Sequence, residues 1–132
     1  MDIIRTMLFG LIGFLFFAGA NIQGDIIADV RDAIKTGSSR EIAKFLNTKV
    51  DMTIDKTLNS YSKAQSELVL KDFFKRNPPS GFTIIHQGTS KTGHGPYFLG
   101  DYISQGNTFR IFVLMRKVGD QFLVYQIDFT KE

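Results

Sequence analysis

From Gly81 to the C terminus the chain is a succession of strand-like segments, and no other feature limits the possible folds as much. Four runs rich in β-branched and aromatic residues span 82–88, 96–104, 108–118 and 121–130, separated by segments that contain glycine. Glycine-containing turns between such runs are typical of β-hairpins, so the pattern predicts an antiparallel meander of four strands. Such a sheet needs a second layer to bury one of its faces.

A first helix of that layer is predicted between Ile26 and about Thr36. Its apolar residues recur at intervals of three and four, which places them on one side of a helix. Asp25 stands where an N-cap residue would begin this helix, and Gly37 is placed to end it.

Two capping boxes predict the beginnings of further helices. In each, a serine at the N-cap is followed three residues later by a side chain that can bond back to it: Ser38 by Glu41, and Ser62 by Gln65. The helix that begins at Ser62 is expected to continue to about Arg76, because the two prolines that follow cannot continue its hydrogen bonds.

Two strands are predicted between these helices and complete the order of elements. Apolar and polar residues alternate over 49–54, and a short second strand is expected over 58–61. Helices followed by a run of strands indicate an α+β fold. Because there is no internal repeat and no linker, residues 21–132 are expected to form a single α+β domain.

The first 20 residues have the features of an export signal. A short polar start that contains Arg5 precedes an apolar run from Met7 to Phe17, and Ala18-Gly19-Ala20 fits an A-x-A cleavage site. Cleavage after Ala20 would leave a periplasmic or secreted domain that is not inserted in a membrane. The alternative is an uncleaved anchor, although the apolar run is shorter than the roughly 20 residues of a membrane span.

Composition excludes several classes of function. The chain has no cysteine, which excludes disulfides, a thiolate nucleophile, cysteine-bound zinc and lipid attachment at a cysteine. Its net charge is +3 and its lysines are scattered, so nucleic acid is not an expected partner. His86 and His94 have no carboxylate at metal-ligand spacing, and residues 88–93 lack the spacing of a phosphate-binding loop. We therefore expect no metal and no cofactor, and we assign no catalytic residue.

Four stretches of the chain resemble a known family. They are Glu41-Ile42-Ala43-Lys44-Phe45-Leu46-Asn47, Tyr61-Ser62-Lys63-Ala64-Gln65, Leu70-Lys71-Asp72-Phe73-Phe74 with Asn77-Pro78-Pro79 after it, and His86-Gln87-Gly88-Thr89-Ser90-Lys91. With the order of elements, they are similar to a family of exported bacterial domains of unknown function in the nuclear-transport-factor-2-like (cystatin-like roll) superfamily. The resemblance implies N-terminal helices packed on a curved antiparallel sheet. It implies no activity, because that superfamily includes isomerases, dehydratases and pure binding or dimerisation modules.

The hairpin turns predict which side chains share a face of the sheet. Two-residue turns are placed at 106–107 and 119–120. One face then collects Tyr97, Leu99, Asp101, Ile103, Arg110, Phe112, Leu114, Arg116, Leu123, Tyr125, Ile127 and Phe129. The opposite face collects Phe98, Tyr102, Phe109, Ile111, Val113, Met115, Phe122, Val124, Gln126 and Asp128. Because both faces are apolar, the helices are expected to cover the first, concave face and a second copy of the chain the other. The alternative is a bulge, which would exchange the faces of all residues beyond it.

The first face contains a candidate ligand pocket, formed by Tyr97, Asp101, Arg110 and Tyr125. A carboxylate, phenols and a guanidinium in an apolar concavity could bind a small molecule or a peptide. In an enzymatic alternative, Asp101 is the base of a small hydrolase, isomerase or dehydratase, and Tyr125 and Arg110 are polarising groups. In a structural alternative, Asp101 and Arg110 form an ion pair at the rim while Tyr125 lies in the core.

The opposite face is predicted to be a homodimer interface. The residues assigned to it are Tyr102, Ile111, Val113, Met115, Val124, Gln126 and Asp128. Tyr102 and Asp128 are expected to form its polar rim. The sequence as a whole favours an exported, non-enzymatic binding or assembly module that acts as a homodimer.

Overall fold

The computed structural model describes residues 22–92 and 95–132, and side chains from Ile26 onward. The elements are α1 (Ile22–Thr36), α2 (Ser39–Ala43), β1 (Leu46–Ile54), β2 (Thr57–Ser62), α3 (Lys63–Arg76), β3 (Gly81–Thr89), β4 (Pro96–Ser104), β5 (Asn107–Val118) and β6 (Gln121–Lys131). The predicted order of helices and strands is confirmed, although α1 begins four residues before its predicted start. The predicted export signal and His94 lie outside the described residues.

The six strands form one mixed sheet in the order β2-β1-β6-β5-β4-β3. The predicted meander from β3 to β6 is antiparallel throughout. Strand β1 joins it alongside β6 in parallel orientation and pairs with β2 in an antiparallel hairpin. Helices packed on one face of this sheet give the α+β architecture that the sequence predicts.

The two predicted capping boxes differ in the structure. At the start of α3, Gln65 N–H donates to Ser62 Oγ at 3.2 Å and Ser62 N–H donates to Gln65 Oε1 at 3.0 Å, so this box is complete. At the start of α2, Ser38 Oγ accepts from the backbone N–H of Glu41 at 3.1 Å. The Glu41 carboxylate instead binds Lys44 Nζ at 3.0 Å, so this box is half formed.

The core lies between the helices and one face of the sheet, and aromatic rings from both layers fill it. The buried hydrophobic residues of the sheet are Leu46, Val50, Met52, Phe82, Phe98, Tyr102, Phe109, Ile111, Val113, Met115, Val124, Ile127 and Phe129. Phe73 of α3 is central, with its ring centroid 4.3 Å from that of Phe129 and 5.3 Å from that of Phe109. The Tyr102 hydroxyl donates to the carbonyl of Asn77, just after α3, so the phenol is satisfied within the core.

The β4–β5 register differs from the predicted one by two residues. The turn consists of Gln105 and Gly106, whose φ angles of 51° and 81° suit a tight hairpin turn. Asp101 therefore lies opposite Arg110 and not, as predicted, opposite Phe112. A shift of two residues leaves every side chain on its predicted face, because successive side chains of a strand alternate.

A β-bulge at Tyr125 overturns the predicted faces of β6. Met115 pairs with Val124, but Leu114 pairs with Gln126, so Tyr125 is an extra residue on its strand. Every residue beyond it changes face. Ile127 and Phe129 turn into the core, while Gln126 and Asp128 turn away from the helices. The bulge that the sequence left open as an alternative is therefore present.

The helices cover the face opposite to the predicted one. Most of the predicted dimer interface is consequently wrong: Tyr102, Ile111, Val113, Met115 and Val124 are each 0% exposed in the core of a single chain. The predicted pocket residues Tyr97, Asp101 and Arg110 lie on the face turned away from the helices, and not in a helix-covered concavity. Hydrophobicity alone could not distinguish the two faces, since both are apolar in β4 and β5.

Replacing Phe73 by alanine is expected to reduce the free energy of unfolding by about 3–5 kcal/mol, because the ring is buried and its removal leaves a cavity that the surroundings fill only in part. Urea denaturation followed by circular dichroism measures the change. Leu68→Ala, on the same helix at a side chain that is 66% exposed, should change it by less than about 0.5 kcal/mol. Equal losses in the two variants would contradict this packing.

Candidate functional site

The sheet face turned away from the helices, here called the free face, is the candidate functional surface. Its residues are Asp51, Thr53, His86, Tyr97, Leu99, Asp101, Arg110, Phe112, Leu114, Gln126 and Asp128. Most of these side chains are partly exposed. Among the described residues they therefore form the surface on which a ligand or partner would meet the sheet.

The centre of the free face is an apolar patch formed by Tyr97, Leu99, Phe112 and Leu114. Leu99 lies opposite Phe112 and Tyr97 opposite Leu114 on the paired strands β4 and β5. The ring centroids of Tyr97 and Phe112 are 5.9 Å apart. An antiparallel sheet with one solvated face usually carries polar residues at such positions. Four large, partly exposed apolar side chains in two adjacent rows therefore need an explanation beyond folding.

The β1–β6 side of the apolar patch is polar and acidic. Gln126 Nε2 donates to Asp128 Oδ2 at 2.7 Å, and Asp51 accepts a hydrogen bond from Ser60. Asp128 Oδ1 is buried and has no hydrogen-bond partner among the described residues. A buried carboxylate oxygen without a donor is destabilising by about 1–3 kcal/mol. On this side of the free face, one buried hydrogen-bond acceptor thus has no donor in the single chain.

The β3 side of the apolar patch carries an imidazole–phenol pair. A second bulge, at Ile85, shifts the β3–β4 register and places His86 opposite Leu99. His86 Nε2 lies 2.9 Å from the hydroxyl oxygen of Tyr97. Gly88 leaves room for this phenol, because a Cβ there would lie 3.0 Å from the same hydroxyl oxygen. The pair fixes the orientation of Tyr97 at the edge of the apolar patch.

Asp101 and Arg110 form an ion pair on the free face. Arg110 Nε donates to Asp101 Oδ1 at 2.8 Å, and Arg110 Nη2 lies 3.4 Å from Glu132 Oε1. The hydrogen bond to Asp101 raises the pKa of Arg110 above its usual value. About a third of each side chain of the Asp101–Arg110 pair is exposed. The contact therefore fits the rim ion pair that the sequence left open, with the carboxylate already engaged by a guanidinium.

Tyr125, the fourth residue of the predicted pocket, has a different partner. It is the bulged residue of β6, and the guanidinium carbon of Arg116 lies 4.3 Å from the centroid of its ring. Asp101 is paired with Arg110, and Tyr97 with His86. The structure therefore distributes the predicted pocket residues over three separate contacts and does not assemble them around one site.

Between the helices and the sheet, where an enzymatic pocket was predicted, the rings of Phe73, Tyr102, Phe109 and Phe129 pack against one another. A hollow of about 160 Å³ remains at the end of this space, lined in part by Phe73 and Phe109. Burial raises the pKa of Tyr102 above its usual value, so this phenol stays protonated. No three His, Asp or Glu residues of the described chain are grouped so that they could hold a metal ion. No helix within the described ranges is long and apolar enough to cross a membrane.

The roles of some residues of the free face could not be predicted from the sequence, because they depend on β-bulges. The role of His86 was missed because the bulge before it is needed to bring it beside Tyr97. Gln126 and Asp128 were predicted on the uncovered face and lie there, but the bulge in β6 places them beside Leu114 and Phe112 and not, as predicted, beside Ile111 and Val113. A signal was present in β6: Val124 and Ile127 are three residues apart, whereas alternating strand positions on one face are two apart.

The fold defines the class of protein: the chain is an α+β roll of the nuclear-transport-factor-2-like type. It is similar to a protein of this type of unknown function from Shewanella baltica OS155, with a TM-score of 0.60 and 13% identity over 89% of this chain and 96% of that one. It is also similar to a structure titled Rd1NTF2_05_I64F_A80G_T94P_D101K_L106W, with a TM-score of 0.62 and 14% identity over 83% and 96% of the two chains. At these identities the likeness concerns the fold alone.

The chain belongs to the family DUF4783, a domain of unknown function, whose model matches residues 27–130. It is similar to a member from Bacteroides ovatus ATCC 8483, with 30% identity and a TM-score of 0.75 over 80% of this chain and 94% of that one. A member from Bacteroides uniformis ATCC 8492 has 28% identity and a TM-score of 0.74 over 80% and 95%. No curated protein matches the chain. The resemblance drawn from the sequence is confirmed.

Asp101→Asn is expected to change the free energy of unfolding by less than about 1 kcal/mol, because a partly exposed ion pair contributes little. Asp72→Asn is the matched control, since Asp72 forms an exposed pair with Arg76 at 2.9 Å on α3. Urea denaturation of both variants measures the changes. A much larger loss for Asp101→Asn than for the control would show that this carboxylate is more than a surface ion-pair partner.

Proposed function

We propose that this protein is an exported, non-enzymatic assembly module that associates with a second copy of itself through the free face. The observation that carries the proposal is the apolar patch of Tyr97, Leu99, Phe112 and Leu114, which the helices leave uncovered. Contiguous exposed apolar surface usually marks an interaction site. In a protein–protein contact these four side chains would be removed from water.

The composition of the free face fits a protein interface. Interfaces have an apolar and aromatic centre with a polar rim. Here the apolar patch is flanked by Gln126 and Asp128 on one side and by His86 on the other, with the Asp101–Arg110 pair in the next row. A two-fold axis through the patch would place the same apolar side chains of two copies against each other.

The energetics favour covering the patch. Fully burying one exposed large apolar side chain contributes about 1.5–3 kcal/mol, and the four side chains of the patch, which are already partly buried, would each contribute less. Two copies would together bury eight such side chains, set against an association cost of about 4–15 kcal/mol. Exclusion of water would strengthen the hydrogen bond from Gln126 to Asp128 Oδ2, whereas Asp128 Oδ1 would need a donor from the partner copy.

A non-enzymatic role is supported by the absence of an assembled reactive site in the described part of the chain. The rings of the core occupy the interior of the roll, and the Asp101 carboxylate is engaged by Arg110. Export is supported by the sequence of residues 1–20, with its apolar run and A-x-A motif. Self-association outside the cytoplasm is the function that these features support together.

Replacing both Phe112 and Leu114 by lysine should dissociate the dimer. Like charges would then face each other at the centre of the contact, so we expect the dissociation constant to rise at least about tenfold. Sedimentation velocity at tens of micromolar measures it, and circular dichroism checks that both variants are folded. Leu68→Lys, at an exposed apolar residue on α3, is the control and should leave the dimer intact. A wild-type chain that sediments as a monomer would overturn the proposal.

Export is tested separately by the processing of the N terminus. N-terminal sequencing of the protein from the producing bacterium should begin at Asn21, and Ala20→Leu should block cleavage because the site needs small residues. Gly19→Leu is the matched control, because the A-x-A pattern places no size requirement on its middle residue. A wild-type protein that retains Met1 would contradict cleavage and favour the anchor.

A further inference from the structure

A groove on the helix side of the molecule is separate from the free face. It is a cavity of about 380 Å³ between α1, the segment before β1 and the β5–β6 hairpin. Its apolar lining comes from Ile26, Phe45, Phe122 and Leu123. A neighbouring hollow of about 260 Å³ also contacts Phe45. The two hollows share no residue with the apolar patch of the free face.

The fold holds the walls of this groove in place. The backbone N–H of Val124 donates to the carbonyl of Phe45 at 2.7 Å, which ties the segment before β1 to β6. Ile26 and Asp29 are three residues apart on α1 and therefore lie on the same side of that helix. The four apolar side chains are only partly buried, so they are accessible from the groove.

Two carboxylates flank the apolar lining, and the lining also contains the cation Lys44, which is engaged by Glu41. Asp29 projects from α1 and Asp120 from the hairpin turn, and neither forms an ion pair with another described residue. The other carboxylates nearby are engaged: Asp32 with Arg31 at 3.1 Å, and Glu41 with Lys44 at 3.0 Å. A region of unpaired negative charge stands out in a chain whose net charge is +3.

We propose that this groove binds an extended peptide segment in which basic and apolar side chains alternate. The apolar side chains would lie on Phe45 and Phe122. The basic ones would reach Asp29 and Asp120, and arginine suits such carboxylates because its guanidinium can form two parallel hydrogen bonds to each. A chain segment fits better than a single amine, because two hollows of about 380 and 260 Å³ meet at Phe45 and Asp29. This site is independent of self-association.

Fluorescence anisotropy with the full-length protein tests the proposal. The probe is a fluorescein-labelled, end-blocked hexapeptide of alternating leucine and arginine. The double variant Asp29→Asn, Asp120→Asn should weaken its binding by about tenfold or more, because each lost carboxylate removes one charged contact. The double variant Asp55→Asn, Asp72→Asn removes the same charge at residues outside the groove and should leave binding unchanged.

Three further outcomes would overturn the proposal. Equal binding to the groove variant and to the control variant would show that the two carboxylates take no part. Equal binding of a hexapeptide with glycine in place of leucine would show that the apolar lining takes no part. Equal affinity for a single blocked arginine would identify a small cation as the ligand, and not a peptide. Amide shifts in the NMR spectrum confined to Asp29, Phe45 and 120–123 would support the proposed location.

Discussion

The bulge at Tyr125 is the constraint on which the rest of this structure depends. One extra residue in β6 allows Val124, Ile127 and Phe129 all to face the helices, although a regular strand would place Val124 opposite to the other two. The ring of Phe129 can then pack 4.3 Å from that of Phe73 on α3. Without the bulge, the far half of β6 would turn the amide of Gln126 and the carboxylate of Asp128 into the core and would expose Phe129.

With the register that the bulge sets, aromatic rings occupy much of the space between the helices and the sheet. Phe73 packs its ring 5.3 Å from that of Phe109 and 4.3 Å from that of Phe129 in this space. Among the described residues, two surfaces offer partly exposed apolar side chains for recognition: the sheet face turned away from the helices and the groove at the edge of the helical layer. In both, polar groups border the apolar side chains, which is the composition of binding surfaces.

The parts of the structure that depend on local chemistry could be predicted, and the parts that depend on register could not. Ser62 and Gln65 determine where α3 begins, and the prolines after it determine where it ends, so the sequence alone located that helix. The alternation of β4 and β5 likewise separated their two faces correctly. The sheet face that the helices cover could not be predicted from the sequence, because it depends on packing between distant segments. The predicted pocket failed for this reason: Asp101 and Arg110 do meet, but on the outer face, while Tyr125 was displaced by its own bulge.

The positions of the two proposed surfaces have a consequence for affinity. Because the groove shares no residue with the apolar patch, pairing of two copies through their free faces would leave both grooves open. Such a dimer would present two acidic, apolar-lined sites in a fixed geometry. A partner with two suitably spaced basic-apolar segments would bind the second site at an effective concentration set by the link between them, which can raise overall affinity by about 10²–10⁴ without any new contact. Self-association would thus strengthen peptide capture.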